Sequence, residues 1–313
     1  MNLFLGVTDV VWFKSHRMAK PSEVNFWRPS GQGFSALCPG EPFLFKLKAP
    51  HNAIAGGGFF VRYTRLPLTL MWDVFGRKNG AADFQTLAGR IRGYRSDDDL
   101  NPHVGCIILT SPFFFEEKDW IRVPSSFSKN IVSGKTYRTE NEEGQRIWDQ
   151  VRYRLEVASS NWGADERDLS VSPHRVAEDL EEYGAEYVAR NRLGQSAFRA
   201  VVTDAYGRRC AVTREKTLPA LQASHIKPYA SSGPHRVDNG LLLRADVHQL
   251  FDAGYVTITP DYRIEVSRRI REEFENGTEY YALQGDELWL PESEQERPTE
   301  DFIAYHNDEI YVG

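Results

Sequence analysis

The sequence has little cysteine, no long apolar run and no excess of positive charge, and each shortage excludes a class of protein. Its 313 residues contain three cysteines, Cys38, Cys106 and Cys210, which are widely spaced and form no CxxC pair. We therefore expect neither a disulfide framework nor a structural zinc site, and we expect a reducing, cytoplasmic location. No apolar run approaches the roughly 20 residues that cross a bilayer, which argues against a membrane partner.

Charge is distributed unevenly along the chain. The net charge is −6, yet residues 1–100 contain 13 Lys and Arg against 8 Asp and Glu. The remainder, 101–313, contains 25 basic against 36 acidic residues. The basic excess of the first part is compatible with contacts to phosphate groups, whereas a solvated charged face is the ordinary interpretation of such an excess.

The chain is long enough for two domains. Residues 1–156 are rich in strand-like runs such as PFLFKLK, GGFFVRYT and VGCIILTSPFFF, and the opening MNLFLGV is interpreted as a first strand and not as a signal peptide. The run ADFQTLAGRIRGY has helical spacing. Residues 157–190 are predicted to be a linker and connecting helix, which leaves 191–313 as a second domain.

One segment near the C-terminus concentrates polar side chains at a specific spacing. His225 is followed by Asn239 after 14 residues, by His248 after nine more and by Asp252 after another four. The local pattern predicts strand, loop, strand and helix, and it places His248 and Asp252 on one helical face, where both can point at one metal ion. Each residue alone has an ordinary alternative: a structural histidine, a turn asparagine or a solvated ion pair. Together, at these spacings, they indicate a catalytic centre.

The motif ASHIKP…DNGLLLRADVHQLFD resembles the HNH endonuclease family, whose fold is the ββα-metal unit. The resemblance implies that His225 is the general base for an attacking water and that Asn239 braces the loop that orients this base. It also implies that His248, the third catalytic residue, and Asp252 bind a divalent metal ion, Mg²⁺ or Mn²⁺.

The segment also departs from the family pattern. Many members place an acidic residue or a histidine directly before the general base as a further metal ligand, and Ser224 stands there in this chain. Asp246 is a candidate replacement, but its position predicts that it faces away from His248 on an ideal helix. His235 is interpreted as a solvated loop residue, with a phosphate contact as the alternative, and Cys210 as a small apolar residue of the core.

Tryptophans recur in the N-terminal part of the sequence. SEVNFWRPSG precedes PFLFKLK, and GGGFF is followed by LMWDVFGRKNG. This arrangement resembles modified-base readers of the PUA-like superfamily, including the YTH and EVE domains, and implies an aromatic cage that stacks on an extruded base. The residues implied are Trp27 and Trp72 as walls, Trp12 as a reserve wall, and Asn25 and Ser30 at the base edge. The alternative is that the tryptophans fill the core of a small barrel.

The two resemblances together imply a modification-dependent restriction endonuclease with an α+β fold, in which an N-terminal PUA-like β-barrel with helices precedes a C-terminal ββα-metal HNH nuclease domain. Its partner would be double-stranded DNA that carries 5-methylcytosine or 5-hydroxymethylcytosine. Because one HNH centre cuts one strand, a homodimer is expected at least on DNA. Two alternatives stay open: an HNH nicking or toxin-like DNase without modification specificity, and a catalytically inactive nucleic-acid-binding protein.

Overall fold

The computed structural model describes residues 1–161, 173–184, 188 and 193–313. The chain divides into two compact units, Met1–Ala197 and Phe198–Gly313, which are called here the N-terminal and the C-terminal unit. The nuclease domain expected at 191–313 would therefore begin inside the N-terminal unit.

Strands dominate the N-terminal unit, and short strands recur in the C-terminal unit. The strands of the described residues are β1 (Asn2–Thr8), β2 (Glu23–Arg28), β3 (Pro42–Leu47), β4 (Ala53–Pro67), β5 (His103–Phe114), β6 (Ile121–Arg122), β7 (Gly134–Arg138), β8 (Leu221–His225), β9 (Gly240–Arg244), β10 (Val256–Ile258) and β11 (Ile264–Val266). The opening run predicted as a strand is confirmed by β1.

Helices flank the strands in both units. The helices of the described residues are α1 (Val10–Ala19), α2 (Leu68–Phe75), α3 (Phe84–Arg92), α4 (Glu142–Asn161), α5 (Pro173–Tyr183), α6 (Gln195–Ala205), α7 (Ala245–Asp252), α8 (Arg269–Phe274), α9 (Thr278–Tyr281) and α10 (Glu300–Glu309). The helix predicted from ADFQTLAGRIRGY is α3, which buries Leu87 and Ile91. The α+β fold class expected from the sequence is confirmed.

The seven strands of the N-terminal unit form one sheet in the order β2–β5–β4–β3–β1–β7, with β6 paired to β4. β1 and β3 run parallel, and the other pairs are antiparallel. The register of β4 against β5 shifts between Gly57 and Phe59. Directly before this shift, a Cβ on Gly56 would lie 2.2 Å from the carbonyl oxygen of Phe113. Glycine allows this close approach, and such an irregularity bends a sheet.

α4 and α5 pack in the core of the N-terminal unit. Val151 of α4 and Val176 of α5 are fully buried in one apolar cluster with side chains of β1. The connecting helix expected within 157–190 is present as α5, but it is packed in the core of this unit, and 157–161 continue α4 instead of forming a linker. Residues 162–172, 185–187 and 189–190 of that segment lie outside the described residues.

The C-terminal unit contains two pairs of antiparallel strands, β8 with β9 and β10 with β11. A single apolar cluster brings together side chains from α6, β9, α7 and α10, including the fully buried Phe198, Leu242, Phe251 and Ile303. This core fixes α7 against the β8–β9 pair. In the part of the chain that the structure describes, no helix has both the length and the apolar character needed to cross a bilayer.

Candidate active site

The polar constellation lies on two antiparallel strands and the helix that follows them. β8 pairs with β9 so that Leu221 is opposite Arg244 and His225 is opposite Gly240. α7 begins at Ala245, immediately after β9. The strand, loop, strand and helix predicted from the sequence are confirmed.

Asn239 holds the loop between the two strands. Its side chain is fully buried, and its Oδ1 accepts a hydrogen bond from the backbone N–H of Lys227 at 2.9 Å. Its Nδ2 donates to the carbonyl oxygens of Lys227 at 3.0 Å and Pro234 at 2.9 Å. Because an unpaired buried polar group costs about 1–3 kcal/mol, these bonds fix the loop that carries His235.

His225 lies between an aromatic ring and a second histidine. Its ring stacks on Phe198 with centroids 4.0 Å and planes 10° apart. Its Nε2 is 2.9 Å from Nδ1 of His235, whose ring stacks on Tyr229 at 4.5 Å. Burial lowers the pKa of His225 to about 4, with an electrostatic contribution from His235 in the same direction and an opposing one from Asp252. The imidazole is therefore neutral at neutral pH, the state in which it can accept a proton.

The interpretation of His235 as a solvated residue is wrong. The residue is half-buried and is held between its contacts to His225 and Tyr229. The sequence contained one signal for this role, since His235 lies in the loop that connects His225 to Asn239 and is brought back to β8 when the hairpin closes.

His248 and Asp252 face each other along α7. Nε2 of His248 lies 3.1 Å from Oδ2 of Asp252. Nδ1 of His248 lies 2.7 Å from Oε1 of Gln222. Because an amide oxygen only accepts, Nδ1 carries a proton, and in the neutral ring Nε2 then has its lone pair toward the carboxylate. A lone pair and a carboxylate oxygen repel each other at this distance unless a proton or a metal cation bridges them.

Two side chains of β8 support this pair from the same face of the strand. Gln222 and Ser224 are two positions apart, so both side chains point to one side. Ser224 is buried, and its Oγ lies 3.3 Å from Oδ1 of Asp252. Ser224 stands where many members of the family have a further metal ligand, and its hydroxyl contacts Asp252, which is itself an expected metal ligand. Gln222 was not predicted from the sequence, although its spacing from Ser224 was a signal that could have identified it.

The remaining candidates of this segment have structural partners. Both carboxylate oxygens of Asp246 accept hydrogen bonds from Arg244, at 2.6 and 2.7 Å. Cys210 is fully buried in the core of the C-terminal unit, as expected. Within the described ranges, no group of three or more His, Cys, Asp or Glu side chains is arranged to hold a metal ion. The protein ligands expected here are therefore the two residues His248 and Asp252.

A cavity of about 1270 Å³ opens in the N-terminal unit. Its aromatic lining includes Trp12, Phe26, Trp27, Phe34, Tyr94 and Phe127. The cations Arg28, Lys46 and Lys48 also line it, and Nζ of Lys46 donates to Oδ1 of Asn52 at 2.9 Å. The cavity therefore combines flat apolar faces with positively charged groups.

Some of the residues predicted to read a modified base line this cavity. Trp27 and Ser30 do so, and Trp12 contributes although its side chain is only 3% exposed. The ring of Tyr94 lies beside that of Trp27, with centroids 6.2 Å and planes 57° apart. Tyr94, which was not predicted, is the aromatic neighbour of Trp27 in the wall.

Two other predicted residues lie elsewhere in the N-terminal unit. Trp72 contacts Phe84 with ring centroids 6.3 Å apart and is absent from the described lining of the cavity. Asn25 is fully buried, and its Nδ2 donates to Oδ1 of Asn79 at 2.9 Å. The structure thus does not bring Trp72 and Asn25 to the cavity that Trp27 lines.

Comparison with solved structures gives low overall similarity. The ASCH protein of Zymomonas mobilis is 11% identical, with 47% of this chain and 94% of that chain covered and a TM-score of 0.33. A structure described as the modification dependent TagI restriction endonuclease is 13% identical, with 85% of this chain covered and a TM-score of 0.26. The chain spans 60% of the length of that second protein.

Comparison with protein families gives a local match. None of the curated proteins matches the chain. A family model described as HNH endonuclease matches residues 210–259, a range that includes His225, Asn239, His248 and Asp252. The matched range also contains β8, β9 and α7, so the strand, loop, strand and helix that carry these four residues lie inside it.

Proposed function

We propose that the chain is a metal-dependent endonuclease that hydrolyses phosphodiester bonds of double-stranded DNA carrying modified cytosine. The observation that carries this proposal is the meeting of β8 and α7 at one polar centre inside the HNH match. There, Ser224 contacts Asp252, and Asp252 in turn faces His248. Nucleases of this kind need a base for water and a site for a cation, and the centre contains residues for both.

His225 is proposed as the general base. Its low pKa keeps the ring neutral, and its stacking on Phe198 and hydrogen bond with His235 fix the ring in one orientation. It would take a proton from the water that attacks phosphorus. The charge of Asp252, which favours the protonated ring, would stabilise the imidazolium formed by that transfer.

His248 and Asp252 are proposed to hold Mg²⁺ or Mn²⁺. Their 3.1 Å separation fits this role, because two donors that are each about 2.1 Å from one ion lie roughly 3 Å apart. Gln222 and Ser224 keep the two ligands in place. A cation bound there would supply charge stabilisation for the scissile phosphate and the leaving oxygen.

The aromatic cavity is proposed to receive an extruded cytosine with a 5-methyl or 5-hydroxymethyl group. Trp27 and Tyr94 offer ring faces for stacking, which contributes about 1–3 kcal/mol per base. Ser30 offers a hydroxyl, and Arg28 and Lys48 offer charges for the phosphates on either side of the base. Because one HNH match is found, at residues 210–259, and one such centre cuts one strand, we propose that two copies act together on DNA to cut both strands.

The test uses the full chain and matched plasmids that contain cytosine, 5-methylcytosine or 5-hydroxymethylcytosine. With Mg²⁺ or Mn²⁺, we expect cleavage of the modified plasmids alone, and we expect chelation of the metal to abolish it. Replacement of the general base, His225→Ala, should lower the cleavage rate about 100-fold or more while DNA binding persists. His103→Ala, which changes an exposed histidine, is the matched control.

Each contrary result points to a different function. Equal cutting of all three plasmids would favour a nicking or toxin-like DNase. Binding without cutting under every metal would favour an inactive nucleic-acid-binding protein. A His225→Ala enzyme that cuts as fast as the unaltered chain would remove His225 as the base.

A further inference from the structure

We infer, on the basis of the proposed nuclease function, that His235 is the positioning residue of the general base. Nδ1 of His235 accepts the proton carried by Nε2 of His225, so that Nδ1 of His225 keeps its lone pair for the attacking water. His235 touches neither the water nor the phosphate in this role and acts through His225.

The geometry of the two rings supports this assignment. Nε2 of His225 and Nδ1 of His235 are 2.9 Å apart, and the ring planes are inclined by 51°. Among the described residues, no hydrogen bond is made to Nδ1 of His225. Since Nε2 is occupied by the partner histidine, Nδ1 is the nitrogen that can meet a water. A neutral imidazole carries one proton, and Nδ1 can act as a base in the tautomer that has this proton on Nε2.

The surroundings of His235 are arranged to hold its ring. Tyr229 stacks on it with planes 9° apart, and Phe198 lies 5.6 Å from it by ring centroids. Asn239 binds the carbonyl oxygen of Pro234, the residue directly before it. The hydrogen bonds of Asn239 to the loop therefore also position His235. Through His235, the asparagine of the motif helps to fix which nitrogen of His225 carries the proton.

As the acceptor of the Nε2 proton of His225, a histidine affects the protonation of that ring differently from a carboxylate. It accepts the Nε2 proton without adding negative charge, so it does not favour early protonation of the base. The groups that influence His225 electrostatically are His235 and His248, which disfavour its charge, and Asp252, which favours it. This balance keeps His225 neutral until the water gives up its proton.

The test replaces His235 by three residues in the full chain. In His235→Asn, an amide atom can take the place of Nδ1 and accept the same proton. In His235→Gln the amide lies further out, near the place of Nε2, and in His235→Leu no acceptor remains. We expect kcat on modified DNA to fall about 10- to 100-fold in the Leu and Gln variants and to stay near the unaltered value in the Asn variant. KM should be unchanged in all three, and His103→Leu is the matched control for loss of an exposed histidine.

A second measurement does not depend on cleavage. Nitrogen-15 NMR of labelled histidines should show His225 with its proton on Nε2 in the unaltered chain, and this tautomer should be lost in His235→Leu. If the unaltered chain cuts no DNA but shows this tautomer and its loss, the proposed function fails and the positioning role stands. The inference would be overturned by a full kcat in His235→Leu or by a proton on Nδ1 of His225 in the unaltered chain. It would also be overturned if kcat fell equally in the Asn and Leu variants and KM rose.

Discussion

Gln222 decides which nitrogen of His248 faces Asp252. Its Oε1 accepts from Nδ1 at 2.7 Å, so in the neutral ring the lone pair of Nε2 is the one that faces the carboxylate. A histidine that is oriented in this way is prepared to bind a cation before the cation arrives. The support comes from a strand residue whose side chain is exposed and whose identity alone indicates nothing.

Removal of this support should weaken metal binding. In Gln222→Leu, Nδ1 of His248 loses its acceptor and the ring is free to turn or to change tautomer. We expect Mn²⁺ affinity, measured by calorimetry on the full chain, to fall about 10- to 100-fold. Gln249→Leu, which alters an exposed glutamine of the same helix, should leave the affinity unchanged. Equal affinities in both variants would mean that His248 is not oriented by Gln222.

Single residues could be predicted from the sequence where a motif fixes their spacing. His225, Asn239, His248 and Asp252 lie on the ββα unit where the motif predicted them. His235, by contrast, acquires its contacts only when the hairpin closes. The contact between His235 and His225 is set by tertiary packing, and such a contact cannot be predicted from the local sequence.

At the scale of elements, α10 is attached to α7 through a buried histidine. Nδ1 of His306 lies 2.8 Å from Oγ1 of Thr257, and its Nε2 lies 3.1 Å from the carbonyl oxygen of Phe251. The His306 ring also stacks on Phe251 with centroids 3.8 Å apart. Phe251 directly precedes Asp252, so this attachment supports the end of α7 that carries an expected ligand.

The attachment of α10 should weaken in acid. Burial lowers the pKa of His306 from its ordinary value of 6.5 to about 4. Between these two pH values the unfolded chain binds a proton at His306 that the folded chain excludes. The contribution of the neutral His306 to folding stability is therefore fully present above about pH 6.5 and is lost as the pH falls toward 4. At about pH 5 the loss is roughly 1–2 kcal/mol.

Amide hydrogen exchange of α10 measures this effect. After correction for the intrinsic rate, protection of residues 300–309 should decrease between about pH 7.5 and about pH 5. In His306→Gln, protection should be lower at neutral pH and should lose this dependence on pH. His103→Gln provides the control, and an unaltered chain whose α10 protection is independent of pH would contradict the expectation.

Elements were predictable where the local pattern was strong. β8 and β9 follow from short strand-like runs on either side of a loop rich in Gly, Pro and Ser, α7 follows from its helical spacing, and α3 follows from its apolar period. The linker was predicted from the polarity of residues 157–173, yet 157–161 continue α4, whereas the helix expected from Pro173 onward is present as α5 and packs by its apolar stripe. A polar run can be one face of a helix whose other face is buried, and polarity alone does not distinguish this from a linker.

At the scale of the whole molecule, the proposed reading of DNA depends on a wall of the cavity. Trp27→Ala removes a ring face from that wall, and we expect its affinity for modified duplexes to fall about 5- to 150-fold, the equivalent of one stacked base. Affinity would be measured in the His225→Ala background, so that the DNA stays intact.

The chain provides a matched control for this substitution. Trp72→Ala also removes a half-buried tryptophan, but one outside the described lining of the cavity. We expect it to leave the preference for modified DNA unchanged. If Trp72→Ala abolished the preference and Trp27→Ala did not, the base would bind elsewhere in the N-terminal unit.

The division into two units could be predicted from length and from the change in pattern, whereas the place of the division could not. The division falls between residues 197 and 198, inside α6, because the residues at the start of that helix belong to the N-terminal unit. Buried Glu23 accepts hydrogen bonds from the backbone N–H groups of Ser196 and Ala197, both at 2.8 Å. The carboxylate of Glu23, which is far away in the sequence, thus ties Ser196 and Ala197 to the N-terminal unit. The local sequence around these two residues does not indicate this contact.

The size of the aromatic cavity has a consequence for the range of its ligands. At about 1270 Å³ it exceeds the about 300–1,000 Å³ of ordinary small-molecule sites. A cytosine with one small substituent would leave much of that space to water. Large substituents would therefore not be excluded by their size, and discrimination between modified and unmodified cytosine would come from the side chains that line the cavity. Larger adducts on the same ring carbon would then also be admitted. A protein with such a cavity would bind DNA with several different substituents at this ring carbon without any change in its own sequence.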